Sequence, residues 1–170
     1  MSGSGGFEVP MLADAGSTVM RAAYEGEPEA VTRVLASIRS FVVRYCRARI
    51  GRRDGSFAPA DEIAQEVCLS VLAGLRVFLT RDTPFLAFVY GVARRKVAER
   101  FPGRPSFPGA SGEPISRLLL VLPENQQEIV VLRVIVGLSV EETSEAVESS
   151  PAAVRLAQHR ALAQLRNIAD

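Results

Sequence analysis

A chain of 170 residues that is 48% apolar, 23% charged and 6% aromatic can build a core, and its composition excludes disordered, collagen-like and disulfide-built classes. The formal charge of +1 selects no partner, although 19 of the 20 basic residues are Arg, Lys96 being the exception, and Arg suits bidentate phosphate contacts. The longest apolar run, 85–93, is far below the roughly 20 residues a bilayer needs, and the Gly-rich start lacks a signal core, so a soluble, cytoplasmic protein with no membrane partner is expected.

β-Branched alternation is scarce and apolar residues recur three and four apart, which predicts an all-α chain. Residues 1–16 are read as a flexible N-terminus. A short helix over 17–24 closes at Gly26, and Pro28 opens a longer one through Val31, Val34, Leu35, Ile38, Val42 and Cys46 to Gly51. Pro59, Asp61 and Glu62 suit the start of a second long helix, with Ile63, Val67, Leu69, Val71, Leu72 and Leu75 as its apolar surface. Thr83 and Pro84 are read as cap and first turn of a third, which carries Phe85, Phe88, Val89, Val92 and Val97 and ends near Pro102.

From Pro102 to Pro114 nine of thirteen residues are Pro, Gly or Ser, which supply turns but no core, so 102–114 is read as a linker between two small helical domains, 17–101 and 115–170. The second holds pieces at 115–122, 123–136, 139–147 and 151–168, parted by Gly137 and the turn Glu148, Ser149, Ser150.

Cys46 and Cys68 form no CxxC pair and lie in apolar patterns, which favours reduced, buried thiols. His159 alone cannot make a zinc site, and neither thiol has an activating base in its own domain, so no metal, cofactor or catalytic residue is expected.

The strongest constellation is Gly137, Leu138, Ser139, Glu141 and Glu142, then a three-residue turn and a helix with Val154, Arg155, His159 and Arg160. Ser139 and Glu142 have capping-box spacing, and a short turn between helices is the helix-turn-helix pattern, with Val140, Val147, Val154 and Leu162 expected in its small core. Glu141, Glu142, Glu145 and Glu148 repel phosphate while Arg155, Arg160 and Arg166 attract it, so recognition falls to the last helix. Arg155 and His159 share a face, as base-edge readers must, and Arg160 is aimed at phosphate. Upstream, Arg39, Arg44, Arg47, Arg49, Arg52 and Arg53 read as a solvated face. Arg94, Arg95, Lys96 and Arg100 beside exposed Phe88 and Tyr90 give the cation and aromatic mix that suits single-stranded nucleic acid.

With these residues in view, the chain resembles a bacterial extracytoplasmic-function sigma factor of the sigma-70 family, of actinobacterial type. The first-domain segments that carry the resemblance are Tyr24-Glu25-Gly26, Glu29-Ala30, Asp61-Glu62-Ile63-Ala64-Gln65-Glu66-Val67 and Pro84-Phe85-Leu86-Ala87-Phe88-Val89-Tyr90-Gly91-Val92-Ala93. In the second they are Leu122-Pro123-Glu124 through Leu132-Arg133, Gly137-Leu138-Ser139-Val140-Glu141-Glu142, Val154-Arg155 and His159-Arg160-Ala161.

The resemblance implies a promoter-specificity subunit with core RNA polymerase, promoter DNA and a cognate anti-sigma factor as partners. Asp61, Gln65 and Glu66 would contact the polymerase clamp. Arg81, Asp82, Tyr90, Arg94 and Arg95 would bind the melted −10 element, and Arg155, His159 and Arg160 the −35 element. The alternative reading is a stand-alone helix-turn-helix regulator. Arg95 stands where many relatives carry Asn, Glu148 where the turn usually has Gly, and Leu156 and Ala157 where Ser and Arg are common. Thirteen linker residues span at most about 43 to 47 Å.

Overall fold

The computed structural model describes residues 14–102 and 118–169. Most of the expected flexible N-terminus and linker, and the start of the piece expected over 115–122, lie outside these residues.

Pro28 sits in the first turn of α2 (Pro28–Ile50), where its missing N–H costs nothing, and Gly51 ends the helix at φ +69. Before it, α1 (Asp14–Tyr24) begins three residues earlier than the sequence pattern suggests. In α3 (Ala58–Phe78), Ile63, Val67, Val71 and Leu75 stand four apart and form a single buried stripe against α2. Leu69 is not part of it: two residues from Val67 and from Val71, it faces outward and is 65% exposed.

In α4 (Phe85–Arg100) almost every apolar residue is buried, including Phe85, Leu86, Val89, Tyr90, Val92, Ala93 and Val97. A helix buried on more than one face needs cover on more than one side. α3 and α2 supply part of that cover, and Gly74 lets α4 approach, because a Cβ there would lie 2.8 Å from the Phe88 ring. Pro84 is the N-cap of α4, and no side chain caps the helix, so Thr83 does not have the capping role expected of it.

The chain is helical at 118–119, turns towards Pro123 and enters a rod that changes pitch. Its first half is α5 (Glu124–Val130); its second, Val131–Val136, is a π-turn whose end is bonded by the Gly137 and Leu138 N–H groups to the Leu132 carbonyl. Gly137 supplies the left-handed conformation, φ +88, that turns the chain into α6 (Val140–Ala146), and α7 (Pro151–Ala169) follows a short turn. No strand is present among the described residues.

These helices form the two expected units, and one apolar core runs through both. Leu119, Leu122, Val130, Val131, Leu132, Val136 and Leu138 are continuous with the core of the first four helices. The remaining cover of α4 comes from α6, and α2 packs on the π-turn.

Candidate nucleic-acid interface

The helix-turn-helix is fixed by local hydrogen bonds. Ser139 Oγ accepts the Glu142 N–H at 3.0 Å while the Glu142 carboxylate accepts the Ser139 N–H at 2.6 Å, completing the capping box. Ser150 Oγ accepts the Ala153 N–H at 3.1 Å and so caps α7. Arg133 donates to the Gln158 side chain at 2.9 Å and to the Leu138 carbonyl, tying the π-turn, the cap and α7 together. The small core uses Thr143, Ala146, Val154 and Ala161; Val140, Val147 and Leu162 are only half-buried, because α6 and α7 approach closely enough for small residues to fill the gap.

α7 leaves Arg155, His159 and Arg160 exposed. Arg155 Nη2 lies 3.3 Å from the Glu141 carboxylate, and both side chains are open to solvent. Such a pair contributes about 0.2–1 kcal/mol, little enough for a phosphate or a base edge to replace the carboxylate.

In the first unit, Arg81 and Asp82, on the connection into α4, and Arg95 on α4 are exposed. Arg81, Phe88 and Arg95 line a cleft of about 460 Å³ whose far side includes Glu148. Arg94 is exposed and paired at 2.6 Å with Glu124 of the second unit. Phe88 is half-buried on Phe78, with ring centroids 5.2 Å apart.

Tyr90 corrects the expectation of an exposed aromatic, since only 6% of it is accessible. Its hydroxyl donates to Glu128 Oε2 at 2.6 Å, and the Tyr45 hydroxyl approaches the same oxygen at 3.4 Å. Glu128 Oε1 lies 2.7 Å from Arg49 Nη1 with both side chains about 95% covered, close as an ion pair though not aligned as a hydrogen bond. Arg49 is thereby buried, and Arg53 half-buried, in an arginine run read as solvated. Burial first, and the Glu128 charge second, hold the Tyr45 and Tyr90 phenols well above their ordinary value, so both remain neutral donors. This four-residue cluster was not picked out from sequence; its sign there is a charge set against apolar neighbours, Arg49 between Ala48 and Ile50 and Glu128 at the head of Ile129 to Leu132.

Asp61 in the first turn of α3 accepts two hydrogen bonds from Arg47, at 2.7 and 2.9 Å, which hold its carboxyl below the usual range. Gln65 is exposed beside it and Glu66 is exposed one position on. Asp61 and Gln65 border a groove of about 660 Å³ between α2 and α3, together with Leu35, Val43, Cys68 and Leu69. Cys46 is buried, as expected, and its thiol is pushed up to about 12 chiefly by burial; Cys68 is only half-buried, because it lines this groove.

Two family models match the chain, "Sigma-70 region 2" over residues 31–103 and "Sigma-70, region 4" over residues 112–165. The ECF RNA polymerase sigma factor SigD of Mycobacterium tuberculosis is 43% identical over 172 residues, covering 88% of this chain and 81% of its own length. The chain belongs to the extracytoplasmic-function sigma factors. As a member, it is a transcription-initiation factor that gives bacterial RNA polymerase promoter specificity.

The ECF RNA polymerase sigma factor ShbA of Streptomyces griseus is 40% identical over 182 residues, covering 91% of this sigma factor and 95% of that protein. Among solved structures, CnrH in complex with the cytosolic domain of CnrY shares the fold, with a TM-score of 0.66 and 24% identity over 92% of this chain and 98% of that one. No helix among the described residues of the sigma factor is long and apolar enough to cross a membrane.

Proposed function

We propose a division of labour within this sigma factor. The α2–α3 groove bordered by Asp61 and Gln65, with Glu66 beside it, docks on the clamp of core RNA polymerase. Arg81, Asp82, Tyr90, Arg94 and Arg95 hold the separated −10 strand, and Arg155, His159 and Arg160 of α7 read and anchor the −35 duplex. The boundaries are those of the sequence reading, with 17–101 as the polymerase and −10 domain, 102–114 as the linker and 115–170 as the −35 domain. The protein acts in the cytoplasm, catalyses nothing itself, and has a cognate anti-sigma factor as a further partner.

The observation that carries this reading is the capped helix-turn-helix with three exposed basic side chains on its second helix. Unstacked bases gain on the order of 1 to 3 kcal/mol each from aromatic and cationic surfaces, so strand separation at the −10 element needs no nucleotide hydrolysis by this chain.

The test is co-purification with core polymerase followed by run-off transcription on a genomic promoter library. Promoter-specific transcripts should appear only with both components, and the R94A/R95A variant should lose open complexes while still joining the enzyme. Cys68 gives a separate check on the docking face. Its alkylation should be blocked in the complex, and unchanged labelling there would place the polymerase elsewhere.

A further inference from the structure

The arginines from Arg39 to Arg53 do not share one environment. Arg47 is bound to Asp61, Arg49 lies on Glu128, Arg44 donates to the Val136 carbonyl at 3.2 Å, and Arg39 lines the α2–α3 groove. Arg52 and Arg53 are left: among the described residues neither lies within ion-pair distance of a carboxylate. A tight turn presents them. The Arg53 N–H donates to the Ser56 carbonyl at 2.8 Å and the Ser56 N–H to the Arg53 carbonyl at 2.9 Å, with Asp54 and Gly55 both left-handed, at φ +51 and +77, as a two-residue hairpin turn requires. Ser56 Oγ accepts the Ala58 N–H at 3.0 Å, which fastens the turn to the start of α3. Aromatic rings hold the side chains. The guanidinium carbon of Arg52 lies 4.8 Å from the Phe57 ring centre, with Arg47 on the same ring at 4.9 Å, and that of Arg53 lies 5.5 Å from the Phe101 ring centre. In Arg53 only Nε is covered without an acceptor, so the two Nη groups are left for a ligand. A guanidinium already stacked loses little freedom when its N–H edge takes a phosphate.

Arg53 on Phe101 puts this turn at the C-terminal end of α4, where Arg100 is exposed, while Arg81 and Asp82 lie at the N-terminal end. A promoter held as a separated strand on α4 and as a duplex on α7 must rejoin its strands between them. The chain leaves α4 at Phe101 for the −35 unit, so the rejoined duplex lies off that end. We infer that Arg52, Arg53 and Arg100 form a phosphate-binding surface for the duplex immediately upstream of the −10 strand, one that reads no bases. The inference rests on the proposed role of α4 and adds a further contact on the same DNA. The exposed acids beside it are Asp54 at the tip of the turn and Glu99. Glu99 already stands opposite Arg95 and Lys96, at 3.7 and 3.9 Å, so the surface stays basic. Each phosphate it neutralises releases counterions, which makes the contact sensitive to salt and indifferent to sequence.

The experiment uses holoenzyme assembled from core polymerase and the full chain, as wild type, R52A, R52A/R53A and R52K/R53K. Fluorescence anisotropy over a salt series reads binding to two labelled probes. One is a single-stranded −10 oligonucleotide from a promoter recovered in the run-off experiment; the other is the same strand carrying the spacer duplex but no −35 element. On the forked probe the slope of log K against log salt should become shallower by about 1 in R52A and about 2 in R52A/R53A, since each lost phosphate contact removes about 0.9. The slope should return in R52K/R53K, and the single-stranded probe should give the same slope with every chain. R52A keeps the result readable if taking Arg53 off Phe101 loosens the fold, because Arg52 is exposed. An unchanged slope on the forked probe in R52A/R53A would overturn the surface and leave the turn to solvent. Weaker assembly with core polymerase would overturn it in favour of a contact with the enzyme, and equal weakening on both probes would overturn it in favour of the separated strand. Failure of the α4 reading is distinguishable, because R94A/R95A would then hold the single-stranded probe as tightly as wild type.

Discussion

Glu148 holds φ +51 in the turn between α6 and α7, a left-handed conformation that glycine adopts without cost and that costs a residue with a Cβ about 1–2 kcal/mol. Its carboxylate also stands in the turn that precedes the proposed reading helix, where phosphate is expected. Both effects act in the same direction. E148G should raise the thermal stability of the chain by about 1 kcal/mol after the glycine's own entropy is counted, and should tighten binding to −35 duplex. Lower stability in a melting experiment would mean that the side chain makes a contribution outweighing the strain. Arg155 lies one helical turn from His159 and loses only a weak exposed partner on binding DNA. R155A should therefore weaken −35 binding by about 1–3 kcal/mol and, if the contact is to a base edge, relax selectivity at one position instead of lowering the salt slope.

Helix by helix, the capping box is the local device on which the geometry of the second unit turns. S139A removes the acceptor of the Glu142 N–H and should cost about 1 kcal/mol in chemical denaturation, with S139D recovering most of it. That box was legible because it is written in four consecutive residues. The same holds for α2 and α3, where a proline near the start and apolar residues three and four apart fix both the helix and its buried face. α4 was legible as a helix but not in its exposure: Tyr90 is held by Glu128 of α5, 38 residues later, while Phe88, on a different side of the helix, packs on Phe78 of α3. The π-turn was not legible either. Burying Val131, Leu132 and Val136 while leaving Val134 and Ile135 outside is a five-residue return, which the apolar pattern alone does not separate from an ordinary helix. Arg49 and Glu128 were hidden for a third reason: each has its charge balanced by a residue 79 positions away, so neither looks like half of a pair.

Across the whole molecule, that pair joins the two units through a buried contact, and a buried ion pair favours closure only while both partners are present. Removing one strands the other in low dielectric, at a cost of about 3–5 kcal/mol, whereas replacing both by apolar residues of similar volume is often neutral. Closure should therefore fail in R49M and in E128L separately and return in the triple variant R49M/E128L/Y90F, which also removes the hydroxyl that Glu128 accepts from, read by α4 hydrogen exchange. Tyr45 and Tyr90 add a dependence on pH. Below their unfolded value of about 10 both states keep the phenolic protons, and closure has its full stability. As pH rises above that value the opened chain releases protons that the closed chain retains, because burial and the Glu128 charge hold the folded values higher. Each tyrosine then removes about 1.4 kcal/mol of closure per pH unit until its folded value is reached. Absorbance at the phenolate band should show two of the three tyrosines appearing together in one cooperative step that coincides with loss of α4 protection, and E128Q should move that step to lower pH. Two independent, gradual titrations with α4 still protected would mean that the hydroxyls reach water without opening, and the contact between the units would then be wet.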